Sequence, residues 1–294
     1  QVLIEGKPLS PETIAAVQLE VEDHAKMADI LRLQVPIAVH ENGEKWTVLD
    51  EDVFRRLTNI RVEVTVGKGN SVPLINSYVI ESYAEFSNEP GKSLLKVVAM
   101  DPTVLMNLDE KVRPWPDMAD SDIANAILSE YGFETDVETT TFSRQEIDTK
   151  TIQRGTDIQF LQKLAKRNGY ECFVEMSPQG VSGSSKGTGH FHKPKVDKKP
   201  QGVLSINMGS ATNVNTFKAR FEMLKPIIAQ AAGIEIETQS DQTASAESAS
   251  VNNLGKSSAA DTDRPRRVLI SQSGMTGSSE LQTYAQAMVD ESSW

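Results

Sequence analysis

Across the first hundred residues apolar side chains recur at every second position, and this period limits the fold more than any other feature of the chain. Val17, Leu19 and Val21 alternate with Gln18, Glu20 and Glu22; Leu31, Leu33, Val35, Ile37 and Val39 repeat the pattern, as do Ile60, Val62, Val64 and Val66. A period of two puts the apolar set on one face of a strand, so these runs predict half-buried antiparallel strands. Pro36 has no backbone N–H to give to a ladder and points to an edge or a bulge. The run "SYVIESYAEFSNEPGKSLLKVVAMD" predicts a hairpin that turns between Asn88 and Lys92. The block as a whole predicts a small barrel or sandwich.

The grammar then changes. In "RGTDIQFLQKLAKRNGYECFVE", residues 154–175, Thr156 and Gln159 have capping-box spacing, and Ile158, Leu161, Leu164 and Ala165 form one apolar stripe. Gly169, after Asn168, supplies a left-handed stop, and Tyr170, Cys172 and Val174 alternate as a strand. The unit is helix, glycine, strand. "DSDIANAILSEYGFETDVETT" repeats it: Asp120 or Ser121 as cap, Ile123, Ile127 and Tyr131 on one face, Gly132 as stop. Duplication and convergent capping both account for the likeness.

A strand pattern returns at Phe217, Ala219 and Phe221, and "RVLISQSG" reads as another strand. Between them, residues 238–264 are rich in Ser, Ala, Asp and Thr and predict a low-complexity loop. "SSELQTYAQAMVDESSW" predicts a helix with Leu281, Tyr284, Ala285 and Met288 on one face. The last block looks unfinished, with too few strands to close by itself. The organisation expected is residues 1–108, 109–208 and 209–294.

Chemistry is sparse. The chain of 294 residues has one cysteine, Cys172, whose place in an alternating strand predicts a buried structural thiol rather than a nucleophile. His190 and His192 flank Phe191 and would share a strand face, where they could bind zinc or copper. The other histidines, His24 and His40, lie far away in the sequence, so ordinary strand histidines and no metal site are expected. "LDEDVF", "MDPTV", "NLDEK" and "DMADSD" each offer carboxylates, but charge runs are usually caps or solvated faces. No phosphate-binding or nucleophile-elbow motif is present, and neither catalytic residues nor a cofactor are expected. A net charge of −11 and a pI near 5.0 leave no cationic footprint for nucleic acid. No apolar run approaches the roughly twenty residues of a membrane-spanning helix.

The ordered run "SYVIESYAEFSNEPGKSLLKVVAMDPTVLMNLDEKVRPWPDMADSDIANAILSEYGF", then "QEIDTKTIQRGTDIQFLQKLAKRNGYECFVE" and "GHFHKP", resembles the phage late control D proteins. These are baseplate hubs of contractile tails, related to the N-terminal part of VgrG in type VI secretion. The resemblance implies a β-rich α+β fold: two tube-like antiparallel β-barrel domains, 1–108 and 209–294, with an α+β bracing insert at 109–208. It also implies a non-enzymatic homotrimer around a channel, with tail tube, spike and baseplate wedge proteins as partners. Such a protein is assembled in the bacterial cytoplasm and resides in a virion baseplate or a contractile injection particle. Thr156, Leu161, Leu164, Gly132 and Gly169 would then be structural residues of the brace. The rival readings are a baseplate-associated cell-wall hydrolase, a DNA-binding regulator and a receptor-binding fibre.

Overall fold

The computed structural model describes residues 1–9, 17–24, 27–39, 46–49, 53–65, 71–140, 151–175, 187–196, 198–200, 202–220, 227–235, 239–251, 265–271 and 277–293, together with positions 43, 67, 69, 222 and 224–225. His40, Phe221 and most of the polar stretches near 141–150 and 176–186 lie outside the described residues. The chain groups into two compact units: residues 1–141, 151–163 and 171–192 in the first, and 142–150, 164–170 and 193–294 in the second.

The alternating runs of the first unit pair as expected. Strands β1 (Val2–Ile4), β2 (Lys7–Pro8), β3 (Gln18–Glu22), β4 (Ile30–Pro36), β5 (Asn59–Thr65), β6 (Ser71–Glu85) and β7 (Leu94–Met100) form one antiparallel sheet in the order β2-β1-β5-β6-β7-β4-β3. Leu31, Leu33 and Val35 lie opposite Ala99, Val97 and Leu95, and Ile75 lies opposite Val62. These side chains share one face and one core with Val2, Ile4, Ile60, Val79 and Phe54. Register breaks opposite Val62/Glu63 and between Val79 and Glu81 leave Leu74 and Ile80 as extra residues of β6 and supply two bends in that strand. Each fully buried Leu or Ile contributes about 1.5–3 kcal/mol relative to an exposed one.

Two details depart from expectation. Pro36 is not on an edge strand, since β4 lies between β7 and β3. The last β3 partner is Gln34, so at Pro36 only the β7 side carries a ladder and the missing N–H leaves no gap. Strand β3 is not half-buried but mostly exposed, because it is the edge strand, and Leu19 is 39% exposed. Among the described residues no pairing joins β2 to β3, the two ends of the strand order.

Beyond β7, a 3-10 turn (Pro102–Asn107) leads to β8 (Lys111–Trp115), α1 (Asp120–Glu130), β9 (Glu134–Val137), β10 (Thr151–Gly155), α2 (Asp157–Asn168), β11 (Glu171–Glu175) and β12 (Thr188–His192). Strands β8 and β10 pair antiparallel, while β12 runs antiparallel to β11 and parallel to β9. Ile123, Ala124, Ile127 and Leu128 of α1 are fully buried. The α1 cap is Ala119 rather than Asp120 or Ser121, because Ser121 sits inside the first turn and its N–H donates to Thr140 Oγ1 at 3.2 Å. Gly189 lets α1 lie close on β12: a Cβ there would meet Leu128 Cδ2 at 2.7 Å.

The second unit has β13 (Ile227–Glu235), β14 (Ser240–Ala246), β15 (Arg266–Ser271) and α3 (Ser278–Ser292). The sheet order is β14-β13-β15, with β14 antiparallel and β15 parallel to β13. Leu281, Tyr284, Ala285 and Val289 of α3 pack with Ile227, Ala229, Ala231, Ala246 and Ile270. Two expectations are corrected here. Ser240–Ala246 is a strand, not loop, since backbone ladders do not need large side chains and Ala246 fits under α3. The parallel β13–β15 pair replaces a purely antiparallel arrangement, because the chain makes β14 and a long return before reaching β15.

Candidate functional site

The opening of α2 is tied by one carboxylate. Asp157, 1% exposed at its side chain, accepts hydrogen bonds from Lys111 of β8, Gln153 of β10 and the Tyr131 hydroxyl after α1. Gln153 in turn accepts from Trp115 Nε1 at 3.2 Å, and the Arg113 guanidinium lies 3.8 Å from the Trp115 ring centre. Burial pushes the Asp157 carboxyl up, but the three donors outweigh it and hold the group below its ordinary value. Burial, followed by the Asp157 charge, raises the Tyr131 phenol above its ordinary value. A buried carboxylate that accepts from three donors on separate elements holds those elements together.

The five residues named from sequence as structural are Thr156, Leu161, Leu164, Gly132 and Gly169. Thr156 is 5% exposed; its hydroxyl donates to Asn107 Oδ1 at 2.8 Å and takes the Gln159 N–H at 3.5 Å, a long cap contact. Leu161 and Leu164 are 0% and 1% exposed. Gly132 and Gly169 have φ of +78° and +67°. Sequence reasoning missed Asp157, Lys111 and Gln153, because the contact between Lys111 and Asp157 spans 46 positions.

A cleft of about 610 Å³ in the first unit is lined by Asp23, His24, Asp29, Asp101, Gln162 and Glu171, among others. It looks like a place for a catalytic carboxylate pair, yet two of the carboxylates, Asp29 and Asp101, accept backbone hydrogen bonds. Asp101 Oδ1 accepts the Thr103 N–H at 2.7 Å and so caps the 3-10 turn; Oδ2 accepts the Asp29 N–H at 2.8 Å. Asp29 Oδ1 accepts the His24 N–H at 2.9 Å. Burial, then the Asp101 and Asp23 charges, raises the Asp29 carboxyl, opposed by that backbone donor. This is cap geometry, which the "MDPTV" stretch signals locally.

His190 and His192 do share a face of β12, and β9 brings Asp136 to them. Asp136 Oδ2 lies 3.0 Å from His190 Nδ1 and 3.7 Å from His192 Nε2. Cys172, on the opposite face of neighbouring β11, has its thiol pushed up to about 12 by burial, which keeps it protonated and a poor nucleophile.

One long surface segment remains. Residues 202–220 contain a single 3-10 turn and no strand, and nearly all of them are exposed. Val203, Leu204, Met208 and Phe217 are 78%, 76%, 64% and 67% exposed. The strand expected at Phe217 and Ala219 is not formed among the described residues, where this backbone joins no ladder.

A tail protein from Neisseria meningitidis MC58 superposes with a TM-score of 0.56 at 12% identity, covering 92% of this chain and 74% of that one, so the two share a fold. A component of the E. coli type VI secretion system gives a TM-score of 0.47 at 10% identity over 68% of this chain and 51% of that one. A chain of the Francisella PdpA–VgrG complex gives 0.46 at 12% identity over 91% and 38%. Both scores are too low to bear on the fold. No curated protein matches the sequence. A family model described as the Alg8 N-terminal domain matches residues 1–293, and the chain belongs to that family.

Proposed function

We propose that this chain is a structural subunit of a contractile tail or contractile injection apparatus, a baseplate hub whose homotrimer surrounds a channel and joins the tail tube to the spike. The observation that carries this reading is the segment 202–220. Val203, Leu204 and Phe217 are each more than two-thirds or close to two-thirds exposed, at 78%, 76% and 67%, on backbone without a ladder. Burying such a segment against a neighbouring subunit removes apolar area from water and satisfies its backbone at once. The likeness to a Neisseria tail protein over 92% of the chain agrees with this role.

In this reading residues 1–108 and 209–294 are the two tube-like domains and 109–208 is the brace. The late control D resemblance belongs to the same proposal. Thr156, Leu161, Leu164, Gly132 and Gly169 set the shape of the brace rather than a site. Tail tube, spike and wedge proteins are the partners, in a virion baseplate or injection particle assembled in the bacterial cytoplasm. The hydrolase alternative is the weaker reading, because Asp29 and Asp101 each accept backbone hydrogen bonds in cap geometry. No helix among the described residues is long and apolar enough to cross a membrane.

Light scattering on the intact chain tests the proposal. The expected mass is three times 32.3 kDa. A species that stays monomeric at the highest attainable concentration, with residues 202–220 still open to protease, would overturn it.

A further inference from the structure

We propose that Asp136, His190 and His192 form a binding site for a divalent transition-metal ion of the zinc class, with Glu175 behind it as an orienting carboxylate. The site does not depend on the tail assignment. Its ligand atoms, one from each of the three residues, lie within 4.8 Å of one another. Tetrahedral zinc with bonds of about 2.0–2.2 Å to nitrogen and oxygen places neighbouring ligand atoms about 3.3 Å apart. The separations from Asp136 Oδ2, 3.0 Å to His190 Nδ1 and 3.7 Å to His192 Nε2, straddle that value.

The second nitrogen of His190 gives an independent argument. Nε2 is buried without a hydrogen-bond partner, while Glu175 Oε2 lies 3.3 Å away, inside ion-pair reach. A metal-bound imidazole commonly presents its other N–H to a carboxylate, which fixes the tautomer and strengthens the ligand. With the metal on Nδ1, the N–H must be at Nε2, facing Glu175. The two needs of the ring are thus met from opposite sides.

The ligands are held still before any ion arrives. His190 stacks on Phe173, with ring centres 4.6 Å apart and planes 16° from parallel, and the Phe173 ring meets His192 edge-on at 5.8 Å. The His190 and His192 side chains are only 12% and 6% exposed, whereas Asp136 is 47% exposed. The backbone of β9 is fastened to β12 by parallel pairing and by the Glu138 N–H on Phe191 O at 2.8 Å. Two imidazoles and one carboxylate suit zinc, nickel or copper and disfavour magnesium and calcium, which take oxygen ligands. Three protein ligands leave a fourth position for water. The ion would pin β9 to β12 through side chains in addition to the backbone pairing.

The test uses the untagged chain after chelator treatment, titrated with Zn2+ by calorimetry and with Co2+ as a visible-absorption probe. The expected result is one ion per chain, a tetrahedral Co2+ spectrum and a higher thermal midpoint with Zn2+. His192→Gln and Asp136→Asn should remove the Co2+ spectrum, Glu175→Gln should weaken binding by about 10–100-fold, and His24→Gln should change nothing. X-ray absorption of the zinc-loaded wild type, expected to report two imidazoles, covers the case of variants that fail to fold. Absence of stoichiometric binding, a zinc shell without two imidazoles, or binding that survives His192→Gln in a folded protein would each overturn the proposal.

Discussion

Asp157 is the residue on which the start of α2 depends most, and its charge makes that dependence visible in pH. Its folded pKa is lowered, so its contribution is complete above the unfolded value of about 3.9 and is lost as pH falls through the folded one. Thermal midpoints of the wild type should therefore drop as pH goes below about 4. Asp157→Asn should flatten that limb and lower stability at neutral pH by about 1–3 kcal/mol, because Lys111 and Tyr131 lose a charged acceptor. Identical acid limbs in the two proteins would mean these contacts are held without ionisation. The glycines separate strain from space. At Gly132 a Cβ meets nothing within 4 Å, so Gly132→Ala carries left-handed strain alone, about 1–2 kcal/mol. At Gly169 a Cβ would also sit 3.0 Å from Ala287 Cβ, so Gly169→Ala should lower the urea midpoint further than Gly132→Ala does. Equal shifts would show that the α3 backbone gives way.

At the scale of elements, the stripe of α2 is the feature that local reasoning reads best, and it yields the sharpest contrast. Leu161→Ala and Leu164→Ala should each cost about 2–5 kcal/mol by transfer and cavity loss, whereas exposed Lys163→Ala should stay within about 0.5 kcal/mol; urea denaturation of the three variants decides. Equal small effects would make the stripe a partner surface. The strands from β4 to β7, the hairpin between β6 and β7, both α1 and α2 and the face of α3 were legible because each is announced by a period or a stop within a dozen residues. What was not legible is pairing across the chain. The edge position of β3, the interior position of β4 despite Pro36, and the parallel β9–β12 pair depend on which strand lies alongside. Ser240–Ala246 shows the other limit, since its small polar composition resembles a linker until the Ala residues find a helix to pack under. The histidine pair was visible; Asp136, 54 residues from His190, was not.

For the whole molecule the opposing terms are charge and exposed apolar side chains. Each chain carries a formal −11, and three of them brought together repel, whereas Val203, Leu204 and Phe217 gain by burial. The carboxylates on the strand faces are not all free: Glu22 pairs with Arg32, and Glu63 lies 2.8 Å from Arg61, so the unpaired negative charge is less than a count of acids suggests. Apolar association is insensitive to screening, but repulsion between like-charged subunits falls as the Debye length shrinks from about 30 Å at 0.01 M salt to about 8 Å at 0.15 M. Trimer formation should therefore strengthen as salt rises through this range, read as a lower protein concentration at the midpoint between 32.3 kDa and three times that mass. Association that weakens with salt instead would place ion pairs, rather than the apolar segment, at the centre of the interface. In that case charge reversal at Lys218 and Arg220, both exposed in the segment, should abolish the trimer. If the apolar segment is the interface, Leu204→Asp should do so while the two charge reversals leave the mass unchanged.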